Sequence, residues 1–454
     1  MRRILVIGSG KSTSYLIKYF LDKAQEENLF ITIGDINTEN AKKLIGNNKN
    51  AKVINLDIFD DEARTTTIKK SDIVVSMLPA RFHIEIAKDC IRFKKHMVTA
   101  SYISKEMQRL DEEVKENGLI FMNEVGVDPG IDHMSAMQVI DKIRYNGGEM
   151  VLFESFTGGL VAPESDNTLW NYKFTWNPRN VVVAGQGGAA KFLQEGTYKY
   201  IPYHRLFRRT EFLEVEGYGR FEAYANRDSL KYQHTYGLDK IKTLYRGTMR
   251  RVGFSRAWQM FVVLGMTDDS YTIDDSENMS YRDFVNAFLP YSPTDSVELK
   301  FRHQLKIDQD DIVWDKLEEL DFFSASKKVV LKKATPAQIL QKILIDSWTL
   351  NKEDKDMIVM YHKFGYKLNG KNHQIDSTMV CIGEDQTYTA MAKTVGLPVA
   401  IATMGILNNK ITTPGVQIPI SKEVYTPILD ELKDYGIIFT EKEVEYFGYN
   451  PLNI

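Results

Sequence analysis

The chain has 454 residues, enough for two or three domains, and its 43% hydrophobic and 26% charged residues are ordinary for a globular protein. A net charge of −3 and a pI near 6.3 give no electrostatic footprint for nucleic acid or an anionic membrane surface. No apolar run reaches the roughly 18 residues a membrane span needs, residues 397–407 being the best candidate, and the N-terminus enters a strand pattern without a leader. The two cysteines, Cys90 and Cys381, read as buried small hydrophobes in a reducing compartment. The expectation is a cytoplasmic protein with no nucleic-acid and no membrane partner.

The first about forty residues carry the strongest local signal. An apolar strand ends in Gly8-Ser9-Gly10, a helix opens near Lys11, and a second strand closes on Asp35, 25 residues after Gly10. This is the pattern of a dinucleotide-binding βαβ unit. Gly8 lets the chain turn sharply, Gly10 lets backbone approach a pyrophosphate, and Lys11 and Ser12 open a helix whose N–H groups face the phosphates. A carboxylate at Asp35 can accept hydrogen bonds from ribose hydroxyls and would repel a 2′-phosphate, so NAD is the expected cofactor, with NADP the second choice. Thr13 stands where the fingerprint has its third small residue.

Strand and helix patterns then alternate: a helix at 38–45, strands at 51–56 and 72–77, a helix at 83–93, a strand at 96–100, a helix at 105–117 and a strand at 119–123. Such alternation predicts a doubly wound parallel sheet with ligands beyond the carboxyl ends of its strands. Asp57, Leu78, Thr99, Ala100 and Ser101 occupy such ends and are candidate cofactor contacts or plain loop residues. From about 151 to 254 short strands rich in Phe, Tyr and Gly (150–156, 198–201, 212–216) predict an antiparallel sheet in a second domain. Residues 258–350 read as a polar helical insertion whose acids at 308–321 form a solvated face rather than a metal site. Two strands at 357–362 and 374–382 and a long apolar helix at 387–407 follow.

A second signal is Asn123-Glu-Val-Gly-Val-Asp-Pro-Gly-Ile-Asp-His133, a glycine-rich, proline-fixed loop that opens a helix. It predicts Asp128, Asp132 and His133 near the nicotinamide cleft. Asp132 reads equally as a helix-terminus acid, and His133 as a satisfied helix histidine.

With Val98-Thr-Ala-Ser-Tyr-Ile-Ser104, Gly158-Gly-Leu-Val-Ala-Pro-Glu164, Tyr172-Lys-Phe-Thr-Trp176, Asn226-Arg-Asp-Ser229, Arg246-Gly-Thr-Met-Arg250, Glu353-Asp-Lys-Asp-Met-Ile-Val-Met360 and Ala390-Met-Ala-Lys-Thr-Val-Gly-Leu-Pro398, the chain resembles the L-glutamate-forming saccharopine dehydrogenase family. The likeness extends to the dehydrogenase half of the bifunctional lysine-degradation enzyme. It implies an α/β fold with a Rossmann domain at 1–129 and an α+β substrate and dimerisation domain at 130–385. A helical insertion would lie at about 258–350, and a segment 386–454 would return to the Rossmann domain. It also implies oxidation of saccharopine with a nicotinamide cofactor and water to L-glutamate and L-2-aminoadipate 6-semialdehyde, or the reverse, in a homodimer. Substrate contacts would fall at Ser101, Tyr102, Asp128, Lys173, Phe174, Arg227, Thr248, Met249 and Arg250. Cofactor contacts would fall at Gly8, Ser9, Gly10, Lys11, Ser12, Asp35, Asp57, Leu78, Thr99, Ala100 and Val127.

The chemistry agrees with those positions. Three carboxylates on saccharopine call for fixed cations, and Arg227, Arg246, Arg250 and Lys173 form the inventory. Hydride loss beside the secondary nitrogen leaves an iminium that water attacks, so a group must handle protons: Asp128 first, then His133 and Tyr102. NADP-type members carry an arginine just after the second strand, whereas Gly34-Asp35-Ile36 resembles the NAD type and points to the catabolic direction. The loop Gly10-Lys-Ser-Thr13 departs from the family's aromatic and small apolar residues. A carboxylated-polyamine dehydrogenase of the same fold needs fewer cations, and a nucleotide-sensing scaffold would have lost them.

Overall fold

The structure, a computed structural model, describes residues 1–446 and 448; the end of the segment expected at 386–454 lies outside the described residues. Two compact units emerge, one of residues 1–149 and 379–441, the other of 150–378 with the chain from 442.

The first unit is built on parallel strands: β1 (Arg2–Ile7), β2 (Leu29–Asp35), β3 (Ala51–Asn55), β4 (Ile73–Ser76), β5 (His96–Val98) and β6 (Ile120–Met122). A further strand, Gly415–Gln417, joins the edge, so the order is 415–417, β6, β5, β4, β1, β2, β3. The order reverses beside β1, between β4 and β2, which makes the carboxyl end of β1 the switch point where such sheets bind ligands. The central strands β1 and β4 bury near-continuous apolar runs, Ile4 to Ile7 and Ile73 to Val75, because helices cover both faces, whereas the edge strand β3 stays partly exposed. Leu5, Ile7, Val74, Met97 and Phe121 pack against Ile86, Cys90 and Val114 on one face. The helix expected at 105–117 is two pieces, Lys105–Gln108 and Asp111–Glu116, the first capped by Ser104 Oγ accepting from Met107 N at 3.0 Å.

Two expectations are corrected here. The helix Ile131–Tyr145, assigned from sequence to the second domain, belongs to the first unit, where Asp141 accepts from Tyr425 Oη at 2.9 Å on the helix Lys422–Asp434. The helix expected at 387–407 forms as Ala390–Leu407, and its 18 residues are apolar enough by length and composition to cross a membrane, which corrects the reading that no apolar run longer than 397–407 exists. With 83% of it buried and its flank against Ser14–Lys23, it has the burial of a core helix.

The second unit contains a mixed sheet ordered 210–215, 219–225, 243–251, 149–161, 356–368, 371–382 and 440–444, with the hairpin 190–194/197–201 attached to Thr243–Arg251. The expected antiparallel sheet is therefore corrected: Thr243–Arg251 runs parallel to Glu149–Val161, Arg246 opposite Ser155 and Thr248 opposite Thr157. A crowded aromatic core of Trp170, Tyr172, Phe254, Trp258 and Trp348 holds the helices of the insertion on this unit.

Candidate functional site

In the first unit the glycine loop leaves β1 at Gly8, whose φ of +98° and whose approach to the Met77 carbonyl (2.9 Å from an added Cβ) both exclude a side chain. Gly10 differs. Its φ of −70° suits any residue, and an added Cβ would meet nothing within 4 Å. Neither strain nor packing demands glycine there; the open space beside its backbone fits a pyrophosphate. Lys11–Thr13 forms a tight single turn before the helix proper, Ser14–Lys23. Thr13 turns its hydroxyl back to the Gly10 carbonyl at 2.7 Å. The close helix approach that the fingerprint's third small residue would provide comes instead from Gly396, where an added Cβ would lie 2.9 Å from Leu16 N and 3.2 Å from Ser12 O.

Asp35 ends β2 and is held by this loop. Its Oδ2 accepts from Ser9 N at 2.6 Å and Ser9 Oγ at 2.7 Å, and its Oδ1 accepts from Asn37 N at 3.0 Å. A carboxylate has about four acceptor sites, so roughly one is left for a ribose hydroxyl, not the two expected. Asp57 is exposed and caps its own turn through Phe59 N at 2.9 Å. Leu78 follows β4 and packs on the core, while Thr99 and Ala100 follow β5. Val127 is buried in the next loop, whose carbonyl accepts from Asp132 N at 3.1 Å.

The loop 123–133 folds on itself. Gly130, at φ +148°, lies against Gly126 so closely that a Cβ would collide with its backbone. Asp128 sits at the half-exposed crest and accepts from Tyr102 Oη at 3.2 Å, so the structure joins these two candidates. His133 is corrected: it is fully buried, with Nε2 2.9 Å from Glu124 Oε2, and the other Glu124 oxygen accepts from Ile103 N at 2.9 Å. It is a strut between the loop and the segment carrying Tyr102, closed to a reactant. Asp132 likewise turns inward to Gly130 N at 2.6 Å. Glu124 was missed, although its place in the acidic motif was a signal.

In the second unit Arg246, Thr248 and Arg250 share one face of their strand. Arg250 is buried, its guanidinium 5.0 Å from the Tyr172 ring, 5.4 Å from Phe254 and 5.9 Å from Tyr224. No carboxylate pairs with it among the described residues, its Nε has no partner, and neither does the buried hydroxyl of Thr157 nearby on the facing strand. Glu222, opposite Arg250 in register, is committed to Ser255 N at 2.6 Å and Gly253 N at 3.1 Å at the start of the helix Phe254–Leu264. Arg227 is exposed, and no ion pair involves it among the described residues. Arg246 lies 4.8 Å from the Tyr232 ring. Three expected contacts are corrected. Lys173 is buried and its ammonium is 2.7 Å from Asp354 Oδ2, so its charge is already matched. Phe174 and Met249 are core side chains, which leaves only backbone for a ligand.

A glycine loop closed on an acid at the switch point of a doubly wound sheet, with a second unit presenting buried arginines, defines a two-domain dinucleotide-dependent oxidoreductase. Residues 4–122 match the Saccharopine dehydrogenase NADP binding domain and residues 126–437 the Saccharopine dehydrogenase C-terminal domain. The chain belongs to the saccharopine dehydrogenase family. It is 32% identical to saccharopine dehydrogenase [NADP(+), L-glutamate-forming] of Saccharomyces cerevisiae over 98% of this chain and 99% of that protein. It is 33% identical to the mitochondrial alpha-aminoadipic semialdehyde synthase of Rattus norvegicus over 96% of this chain but 47% of that longer protein. The apo saccharopine dehydrogenase (L-Glu forming) structure from S. cerevisiae superposes with a TM-score of 0.88 at 31% identity, covering 98% of this chain and all of that one.

Proposed function

We propose that the protein cleaves saccharopine with a nicotinamide dinucleotide and water to L-glutamate and L-2-aminoadipate 6-semialdehyde, or runs the reverse reductive amination, as a homodimer. The observation that carries this reading is Arg250, a buried guanidinium caged by three aromatic rings with no carboxylate paired to it among the described residues. A buried, unmatched cation is costly unless an anion completes it, and a planar guanidinium takes a carboxylate in bidentate fashion. Arg227 is assigned to a second carboxylate. The bound dinucleotide supplies the hydride acceptor for the carbon beside the secondary nitrogen. Asp128, on its Tyr102 hydrogen bond, takes the proton of the attacking water and returns it to the departing amine of glutamate. Purified protein given saccharopine should reduce the cofactor and release glutamate stoichiometrically. Turnover of a carboxylated polyamine in its place would make the sister activity the correct one. Light scattering at about twice the 52.2 kDa chain mass checks the dimer.

For the cofactor we propose NAD, although the fungal relatives are named for NADP(+). Support comes from Asp35, whose carboxylate is fixed by Ser9 at the end of β2, and from exposed Ile36 and Asn37, which bring no cation to a 2′-phosphate. Loss of a charge-assisted bond of roughly 1.5–3 kcal/mol, with added repulsion, favours NAD by about a hundredfold in kcat/KM. Changing Asp35→Ser with Ile36→Arg should turn the preference toward NADP. Equal use of both cofactors by the wild type would overturn the role given to Asp35 and leave the saccharopine reading standing.

A further inference from the structure

His83 begins the helix His83–Arg92 that follows β4, and it is buried beneath the strand ends where ligands of this fold lie. It takes no part in the proposed hydride or proton transfer. Its Nδ1 is 2.8 Å from Ser76 Oγ at the last residue of β4, and its Nε2 is 2.7 Å from Ser101 Oγ and 3.3 Å from Thr99 Oγ1 beyond β5. One imidazole therefore ties two adjacent strand ends together, and the far end of the tie is a serine directly before Tyr102. Ser101 is fixed by two further bonds: its N–H donates to Thr99 Oγ1 at 3.2 Å and its carbonyl accepts from Glu124 N at 3.1 Å. No acid is paired with His83 among the described residues, and burial pushes its pKa down to about 4, so the ring is neutral near neutral pH, with one donating and one accepting nitrogen.

Resting on the saccharopine reading, we infer that His83 is a positioning residue that sets Ser101 as a hydrogen-bond donor toward a carboxylate of the substrate. The Ser76 hydroxyl, enclosed completely, donates to Nδ1, and Nε2–H donates to Ser101 Oγ. The Ser101 proton is then left for an acceptor outside the protein, which is what an anionic substrate requires. The opposite tautomer would spend the Ser101 proton on the ring and present only lone pairs, which repel a carboxylate. His83 touches no reactant in this scheme; it acts through Ser101.

Two substitutions separate the two ends of the tie. In His83→Gln the amide reaches as far as Nε2 and can still donate to Ser101, whereas in His83→Asn it reaches only the Ser76 end. The glutamine variant is expected to keep KM for saccharopine within about threefold, and the asparagine variant to raise it by about tenfold or more, the value of a charge-assisted hydrogen bond. Cofactor dissociation constants and unfolding midpoints should change alike in both. Ser101→Ala should match His83→Asn, and the double variant should lose no more than either alone. Equal KM in the two His83 variants, or additive losses in the double variant, would overturn the inference. Nitrogen-correlated proton spectra of the ligand-free protein labelled at histidine give a readout that needs no activity. An Nε2–H tautomer at pH 7 is expected, and an Nδ1–H tautomer or an imidazolium sinks the proposal. Failure of wild-type protein to turn over saccharopine, with the tautomer as expected, would refute the substrate reading instead.

Discussion

At Arg250 the burial of a cation, with no matching carboxylate among the described residues, turns one residue into a statement about ligand charge. Arg250→Ala should cost about 2–5 kcal/mol of saccharopine binding, read as a raised KM, while cofactor affinity stays near wild type. Arg250→Lys should recover little of it, since an ammonium neither stacks in the aromatic cage nor offers two parallel donors. An equal fall in cofactor affinity would show Arg250 to be misassigned. Asp128 and Tyr102 are the residues proposed for the chemical step. Asp128→Asn should lower kcat by about 10²–10⁴-fold, the usual contribution of a positioned acid or base, and Tyr102→Phe should lower it less because the carboxylate remains. Unchanged kcat in Asp128→Asn would move proton transfer elsewhere. The prominent place of Asp128 was legible in the sequence because its loop combined glycine, proline and carboxylates. The inward turn of His133 was not, because its partner Glu124 is reached only when the loop doubles back.

Among elements, the dinucleotide unit was readable almost residue by residue, since strand, glycine turn, helix and acid are all contiguous. What completes it is not contiguous. Gly396, from the far end of the chain, supplies the close approach that Thr13 does not, and nothing near the N-terminus announces it. Gly396→Val would put side-chain atoms against Leu16 N and Ser12 O and should destabilise the first unit by about 1–3 kcal/mol in denaturant titrations. Because Ser12 lies in the turn after Gly10 that is proposed to hold the phosphates, cofactor affinity should fall with it. Stability lost without any change in cofactor affinity would separate the helix contact from the loop's shape. The strands Asp356–Leu368 and Lys371–Ile382 were read too short for a related reason. Lys363 and Gly365 look like a strand's end, yet Lys363 is held 3.0 Å from Glu154 on another strand. The turn between the strands, Asn369-Gly370 with φ of +51° and +78°, is a hairpin signal that was there to be used.

At the scale of the whole molecule, two units with separate cores should answer separate perturbations. A cofactor bound by the glycine loop stabilises the first unit, by about 2.7 kcal/mol at a hundredfold excess over its Kd. The second unit carries its own marker in Lys173 and Asp354. Burial alone would raise the Asp354 pKa, but the Lys173 ammonium and the Asn351 N–H hold it below the usual carboxylate range. A carboxyl lowered in the folded state contributes stability above its unfolded pKa of roughly 3.9, and that contribution is lost as pH falls through the folded value. Acid should therefore weaken the second unit through this pair, and Asp354→Asn should remove that part of the pH dependence. Lys173→Met, which strands the carboxylate, should cost about 3–5 kcal/mol near neutral pH. In calorimetry, cofactor and Gly396→Val should then shift one transition in opposite directions while Lys173→Met lowers the other. A single transition displaced as one by all three would show that the two cores unfold together.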